Sequence, residues 1–218
     1  MRIIDKEQWK RKAMYNRFVN HSDPTFSVTT RLDVTRFFSR CKNIETSFFT
    51  DFLYIVMRCL NDIDEMKTRI VDGDVVIYEL VDPGFIVFKD DESIAPGRIP
   101  MTEDYPEFYN RIRNEIEYVK THESVERMNM NQRNDIVYIS CLPWMDFTSL
   151  RHPYNHCDKE SVSIPRITWG KVVGDSEYRT MAFDVSAHHG LMDGYHVCKL
   201  IMNIQDALDD PGFFDGLV

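Results

Sequence analysis

Between Ser186 and His196 the chain reads Ser-Ala-His-His-Gly-Leu-Met-Asp-Gly-Tyr-His, placing His188, His189 and His196 close to the carboxylate of Asp193. In the form His-His-x-x-x-Asp-Gly it supplies a base, an acid partner and a flexible glycine. An imidazole titrates near physiological pH, so it can take and return a proton without special tuning. Several chemistries fit these residue types. Either His188 or His189 could be a hydrogen-bonded core residue, and Asp193 could be only a helix N-cap. His188, His189, Asp193 and His196 are also metal-ligand types. Adjacent strand residues point to opposite faces, however, so His188 and His189 would not converge on one ion. A second candidate cluster, His152, His156 and Cys157, reads more simply as a polar surface loop.

The flanking pattern tells which elements must position these groups. Met181, Phe183, Val185 and Ala187 alternate with Ala182, Asp184 and Ser186, the period of a strand. Val197, Leu200, Ile201, Ile204 and Leu208 follow at helical spacing. The two histidines therefore sit at a strand-to-helix reversal, where rigid scaffolds display reactive groups.

Elsewhere the patterning predicts helices over 6–17, 48–61 and 105–119, the second apolar all round and so buried. It predicts strands over 25–34, 74–79, 85–88, 136–140, 162–169 and 178–187. Val81-Asp82-Pro83-Gly84 reads as a turn before Phe85. Interspersed helices and strands imply an α/β or α+β class with one main sheet covered by helices. No repeat, low-complexity tract or linker marks a boundary, so a single domain over 1–218 is expected.

The chain has 218 residues, 43% of them hydrophobic, which is ample for a core. Its net charge of −9, from 35 acidic and 26 basic residues, argues against a nucleic-acid partner. The most apolar window, 48–60, contains Asp51 and Arg58 and is too short to span a bilayer. The start of the chain lacks a secretory pattern, and the five cysteines form no Cys-x-x-Cys pair. A cytoplasmic protein with reduced thiols, and no membrane partner, is the expectation.

Residues 188–196 resemble the active-site signature of the chloramphenicol acetyltransferase family, shared more loosely by the acyltransferase cores of 2-oxo acid dehydrogenases and by condensation domains. Ile139-Ser140-Cys141-Leu142-Pro143-Trp144 is similar to the family's Ser-Ala-Leu-Pro-Trp segment, and Trp9-Lys10-Arg11 to its Trp-x-Arg. Asn61-Asp62-Ile63-Asp64-Glu65 and Val81-Asp82-Pro83 fall in the family's order. The resemblance runs from about Trp9 to Ala207. Condensation domains carry two such halves, and dehydrogenase cores usually follow a lipoyl domain, so the free-standing antibiotic acetyltransferase type fits best. It implies a mixed central sheet covered by helices in a two-layer sandwich.

The resemblance also implies an activity, transfer of acetyl from acetyl-CoA to a hydroxyl without metal or covalent acyl-enzyme. His189 is then the general base, its tautomer fixed by its own backbone carbonyl. Ser140 donates to the oxyanion, where one positioned donor typically contributes about 3 kcal/mol. Thr168 holds a water beside it. Asp193 pairs with Arg11 to lock the loop, Gly194 permits the turn, and His188 orders the loop by packing. Trp144, Tyr54 and Lys171 occupy positions resembling the cofactor tunnel, while Phe18, Phe26, Leu150, Tyr154 and Arg166 fall in the acceptor region. A homotrimer with active sites between subunits is implied as well.

The acceptor region departs from the pattern. The 150–158 segment is polar and about two residues longer than its apolar counterpart. Arg166 stands in place of an apolar residue, Phe18 in place of a tyrosine, and Val172 in place of an aromatic near the adenine. The expected function is chloramphenicol O-acetylation associated with antibiotic resistance. The alternatives are acetylation of another hydroxyl compound or a non-catalytic binding homologue. Joint retention of His189, Ser140, Asp193, Arg11 and Thr168 speaks against the last.

Overall fold

The computed structural model describes residues 1–122 and 133–214. Six strands form the main sheet: β2 (Thr25–Asp33), β5 (Asp82–Phe88), β6 (Ile94–Arg98), β7 (Ile136–Cys141), β8 (Arg166–Gly174) and β9 (Arg179–His188). Their spatial order is β2-β9-β8-β7-β5-β6. The β5–β7 and β7–β8 pairs are parallel and the others antiparallel, so the sheet is mixed. A second, three-stranded sheet joins β1 (Arg2–Ile3), β4 (Asp74–Ile77) and β3 (Thr68–Val71). Fully buried Arg69 donates to the carbonyls of Met66, Thr68, Asn134 and Ile136, tying this small sheet to the start of β7.

Helices α2 (Thr35–Asn43), α3 (Phe48–Asn61), α4 (Tyr105–Thr121) and α6 (Gly194–Asp209) pack with one face of the main sheet. The all-round apolar reading of α3 corresponds to its burial, since Phe52 through Met57 and Leu60 have no exposure. Ser47 caps the helix by accepting from the Thr50 N–H at 3.3 Å. Val28, Val185, Ile167, Ile139 and Phe85 run across the sheet in register, and each belongs to or packs on the main core. The opposite face is polar. There Thr29, Asp184, Thr168 and Ser140 form one cross-strand row, and Ser27, Ser186, Arg166 and Tyr138 the next. The 142–158 connection and α5 (Lys159–Ser163) belong to this side, as contacts of His152, Pro153 and α5 show. The short helix α1 (Lys12–Phe18) packs Tyr15 with Ile70, Val75 and Leu191 in a separate small cluster.

Several boundaries differ from the expectation. The 81–84 segment is no turn: β5 runs through Pro83 and Gly84, because parallel pairing with Ile136–Ile139 outweighs the local turn chemistry. The helix expected from residue 6 begins at Lys12, with turns before it. Residues 162–165 complete α5 and its exit, and the strand starts at Arg166. Helix α2, amphipathic with Phe37 and Cys41 buried one turn apart, and strands β3 and β6 were not expected.

Candidate active site

Strand β9 ends at His188, and helix α6 begins at Gly194, so the reactive residues lie on a five-residue reversal, 189–193. Asp193 is the N-cap of α6, accepting from the Tyr195 N–H at 3.1 Å. It does more than cap. Arg11 Nη1 donates to Asp193 Oδ2 at 2.7 Å, and Arg11 Nη2 donates to the carbonyl of His189 at 3.3 Å. One guanidinium thus clasps both ends of the reversal. The Arg11 side chain is 8% exposed and that of Asp193 35%. His196 adds a further support, with Nδ1 2.9 Å from Asp193 Oδ1 and Nε2 3.2 Å from Glu65 Oε1. Burial works to raise the Asp193 carboxyl, but hydrogen bonding from Arg11 and the nearby charges of His196 and Arg11 hold it below its ordinary value.

His189 is half-buried and clamped by aromatic rings. Phe18 stacks on it at 4.4 Å, 4° from parallel, and Phe26 lies at 4.7 Å and 42°. Its N–H backbone group donates to the Pro24 carbonyl at 2.8 Å. The tautomer was expected to be fixed by the residue's own carbonyl. Nδ1 is instead buried without a hydrogen bond, and the ring's orientation rests on the aromatic clamp. His188 is enclosed and accepts at Nδ1 from the Gly190 N–H at 3.0 Å. Burial lowers its pKa to about 4, so the ring is neutral near pH 7. A Cβ on Gly190 would meet His188 Cε1 at 2.9 Å, whereas one on Gly194 would meet open space. The glycine this turn requires is therefore Gly190, not Gly194.

Ser140 and Thr168 occupy a different place. They are register partners on β7 and β8, and Thr168 is also opposite Asp184 of β9. His189 lies five residues beyond Asp184, just past the end of β9, a span of roughly 16 Å at about 3.3 Å per residue. Ser140 borders a cleft of about 510 Å³ together with Tyr138, His152, Asn155, Asp158 and Arg166. Thr168 was expected to hold a water; its Oγ1 lies 3.0 Å from His152 Nε2. The surface-loop reading of His152 is therefore corrected, since this ring turns inward onto the sheet. Burial, with Arg166 nearby, lowers its pKa to about 4. In the same row, Asp184 is fully buried and accepts from Thr29 Oγ1 at 2.7 Å; desolvation raises its pKa.

The residues expected to form one acceptor pocket divide between these places. Phe18 and Phe26 attend His189, while Arg166 stacks on Tyr154 at 3.9 Å within the Ser140 cleft region. The Tyr154 hydroxyl is buried near Ser186, and burial pushes it up to about 12. Leu150 is half-buried and lines neither place.

A groove of about 500 Å³ opens on the other side of β8. Its walls are mainly apolar, with Phe48, Phe49, Phe88, Trp144 and Trp169, and Lys120 and Lys171 add charge. Trp144 is 63% exposed and meets Phe88 edge-on at 5.0 Å. An apolar channel with two ammonium groups suits a long thiol-bearing chain ending in phosphates. Val172, which replaces an aromatic in the family pattern, also borders it. Tyr54 does not. It is wholly buried, stacks edge-on with Tyr105 and Phe108, and donates to the Glu103 carbonyl at 2.5 Å. On an all-apolar helix, periodicity cannot say which aromatic faces a groove, and the ones that do are Phe48 and Phe49 in the first turn. Sequence reasoning also missed Lys120 and Phe88 as groove residues, since neither belongs to a motif. Among the described residues, no group of three or more His, Cys, Asp or Glu is placed to hold a metal ion. No helix among them is long and apolar enough to cross a membrane.

The profile of the family described as "CAT: Chloramphenicol acetyltransferase" matches residues 1–205. A chloramphenicol acetyltransferase of Proteus mirabilis is 26% identical over 217 residues, covering 95% of this chain and 94% of that relative. One from Staphylococcus aureus is 29% identical over 204 residues, covering 92% and 95%. A solved chloramphenicol acetyltransferase structure superposes with a TM-score of 0.85 at 27% identity, covering 96% of this chain and 100% of that one.

Proposed function

Because this chain belongs to the chloramphenicol acetyltransferase family, we propose that it acetylates a hydroxyl of a small-molecule acceptor directly from acetyl-CoA. The chain is an enzyme of the acyltransferase class. Chloramphenicol is the reference acceptor, by analogy with the named relatives, and drug resistance the associated role. A cytoplasmic setting and a single domain over 1–218 complete the reading.

His189 takes the acceptor's proton as the new C–O bond forms, which a neutral alcohol needs in order to attack a thioester. The C–S bond breaks, and the proton passes from His189 to the departing thiolate. Ser140 donates to the carbonyl oxygen where negative charge develops. Thr168, joined to His152, holds the same edge of the cleft in place. Arg11 and Asp193 keep His189 in position without touching the reacting atoms. Trp144 and Lys171, with Lys120, line the groove that would take acetyl-CoA, whose thioester then reaches the cleft past Cys141.

The observation that carries this reading is the double hold of Arg11 on Asp193 and on the His189 carbonyl. It makes the loop with His189 a rigid presenter of one imidazole. Ser140 and His189 are too far apart along the sheet to act on one hydroxyl within one chain. The reading therefore includes a homotrimer, each site pairing His189 of one chain with Ser140 of its neighbour. Release of thiol from acetyl-CoA on adding chloramphenicol, and a mass in solution of three chains, are the expected results. Absence of thiol release across chloramphenicol and a broad alcohol panel would reject acetyl transfer. A second reading, acetylation of a different hydroxyl compound, is favoured by Arg166 and His152 lining the Ser140 cleft.

A further inference from the structure

We propose that the acceptor bears an anionic group, a carboxylate or its equivalent, held by Arg166 with help from His152, about 7 Å from the hydroxyl that is acetylated. This rests on the Ser140 cleft being the acceptor site. Arg166 and Thr168 are two residues apart on β8 and share the polar face, a separation of about 7 Å. That spacing sets the distance between the reacting end of the acceptor and its anion.

The Arg166 environment is unusual for a cation. Its guanidinium is packed over Tyr154 at 3.9 Å and Tyr138 at 5.4 Å. Nη1 donates to the Pro153 carbonyl, while Nε is buried without a hydrogen bond. Among the described residues no carboxylate forms an ion pair with it, and its titratable neighbours are two tyrosines, Tyr154 and Tyr138, whose phenols burial keeps neutral. Burial lowers its pKa, since the Pro153 carbonyl and the two rings only partly replace the lost hydration. Nearby acids are otherwise engaged. Asp158 borders the same cleft but caps α5 by accepting from the Ser161 N–H at 3.1 Å. Asp184 lies near Tyr154 and accepts from Thr29 and Ser186.

A planar guanidinium with unfilled donors, at the wall of a cleft, matches a carboxylate in both shape and charge. His152 is neutral and carries one ring N–H. In the tautomer that lets Thr168 donate to Nε2, that proton is on Nδ1, where it can serve as a second donor. The cleft volume of about 510 Å³ suits a small aromatic hydroxy acid. A wholly neutral acceptor, chloramphenicol included, would cover Arg166 without meeting its charge and should bind less tightly than an anionic one.

The test compares 4-(hydroxymethyl)benzoate with its neutral amide, which keep the same hydroxyl and ring. By calorimetry the acid should bind the wild-type protein at least tenfold more tightly than the amide. Arg166→Val should remove that advantage, Arg166→Lys should keep part of it, and His152→Gln should reduce it. Equal or undetectable binding of the two probes to the wild type overturns the proposal whether or not any variant folds. An acid advantage that survives in folded Arg166→Val overturns it too. Thiol release, measured alongside, separates the two readings. Preferential binding of the acid without turnover of it or of chloramphenicol keeps the subsite and rejects acetyl transfer. Chloramphenicol turnover with no preference for the acid does the reverse.

Discussion

Phe18 lies face to face with His189, the ring centroids 4.4 Å apart and the planes 4° from parallel. With Nδ1 lacking a hydrogen bond, this contact and Phe26 fix how the imidazole addresses an acceptor. Aromatic pairing of this kind contributes about 1 kcal/mol beyond burial. Phe18→Leu should therefore lower kcat roughly fivefold with a smaller change in the KM for acetyl-CoA. Unchanged kcat in steady-state assays would show that the stack does not set the ring's direction.

The proton transfer and the oxyanion contact make separate demands. His189→Ala should abolish acetyl transfer while leaving CoA binding and the oligomeric mass intact, as checked by calorimetry and sedimentation. Ser140→Ala should lower kcat by about 10²–10³ with little change in KM. An effect confined to KM would reassign Ser140 to binding.

Asp193 serves two masters, the α6 N-terminus and Arg11, and substitutions can divide them. Asp193→Asn keeps a capping oxygen but removes the charge facing buried Arg11. It should lower both melting temperature and kcat, and Asp193→Ala should lower them further. The Asp193 carboxyl is held below its ordinary value, so its contribution is present above about pH 4 and lost as pH falls through the folded value. Thermal melts between pH 3 and 7 should show a shallower acid limb for Asp193→Asn.

His188 is buried and His152 half-buried, and both are neutral near pH 7, each with a pKa of about 4. A histidine depressed on folding stabilises above its unfolded value of about 6.5 and does so less as pH falls toward the folded value. Urea unfolding should show stability falling between pH 6.5 and 4.5. In His188→Asn, whose side-chain oxygen can still accept from Gly190, that fall should be smaller. An identical pH dependence in the variant would mean that His188 is already charged or exposed.

The sequence disclosed what repeats with a period or sits in a compact motif. The strand ending at His188, the helix after Asp193 and the buried α3 all follow from local spacing. The partnership of Arg11 with Asp193 spans 182 residues and came from the motif resemblance, not from periodicity. Other features escaped because they depend on contacts between distant segments. Nothing local distinguishes His152 from a solvated loop histidine; its inward turn depends on Thr168 being opposite. Tyr54 and Phe49 share one apolar helix, and only the placement of α4 and β5 decides which is core and which is groove. The β5 strand through Pro83 and Gly84 exists because β7 lies beside it.

Strand β9 brings Asp184 level with Thr168 and Ser140 but carries His189 off its far end. Each chain on this account owns two incomplete halves of catalysis, and two differently crippled chains can make good each other's loss. Unfolding and refolding an equal mixture of His189→Ala and Ser140→Ala proteins should restore about a quarter of the wild-type rate if neighbours in a ring pair at random. Each variant alone, taken through the same cycle, should stay inactive or nearly so.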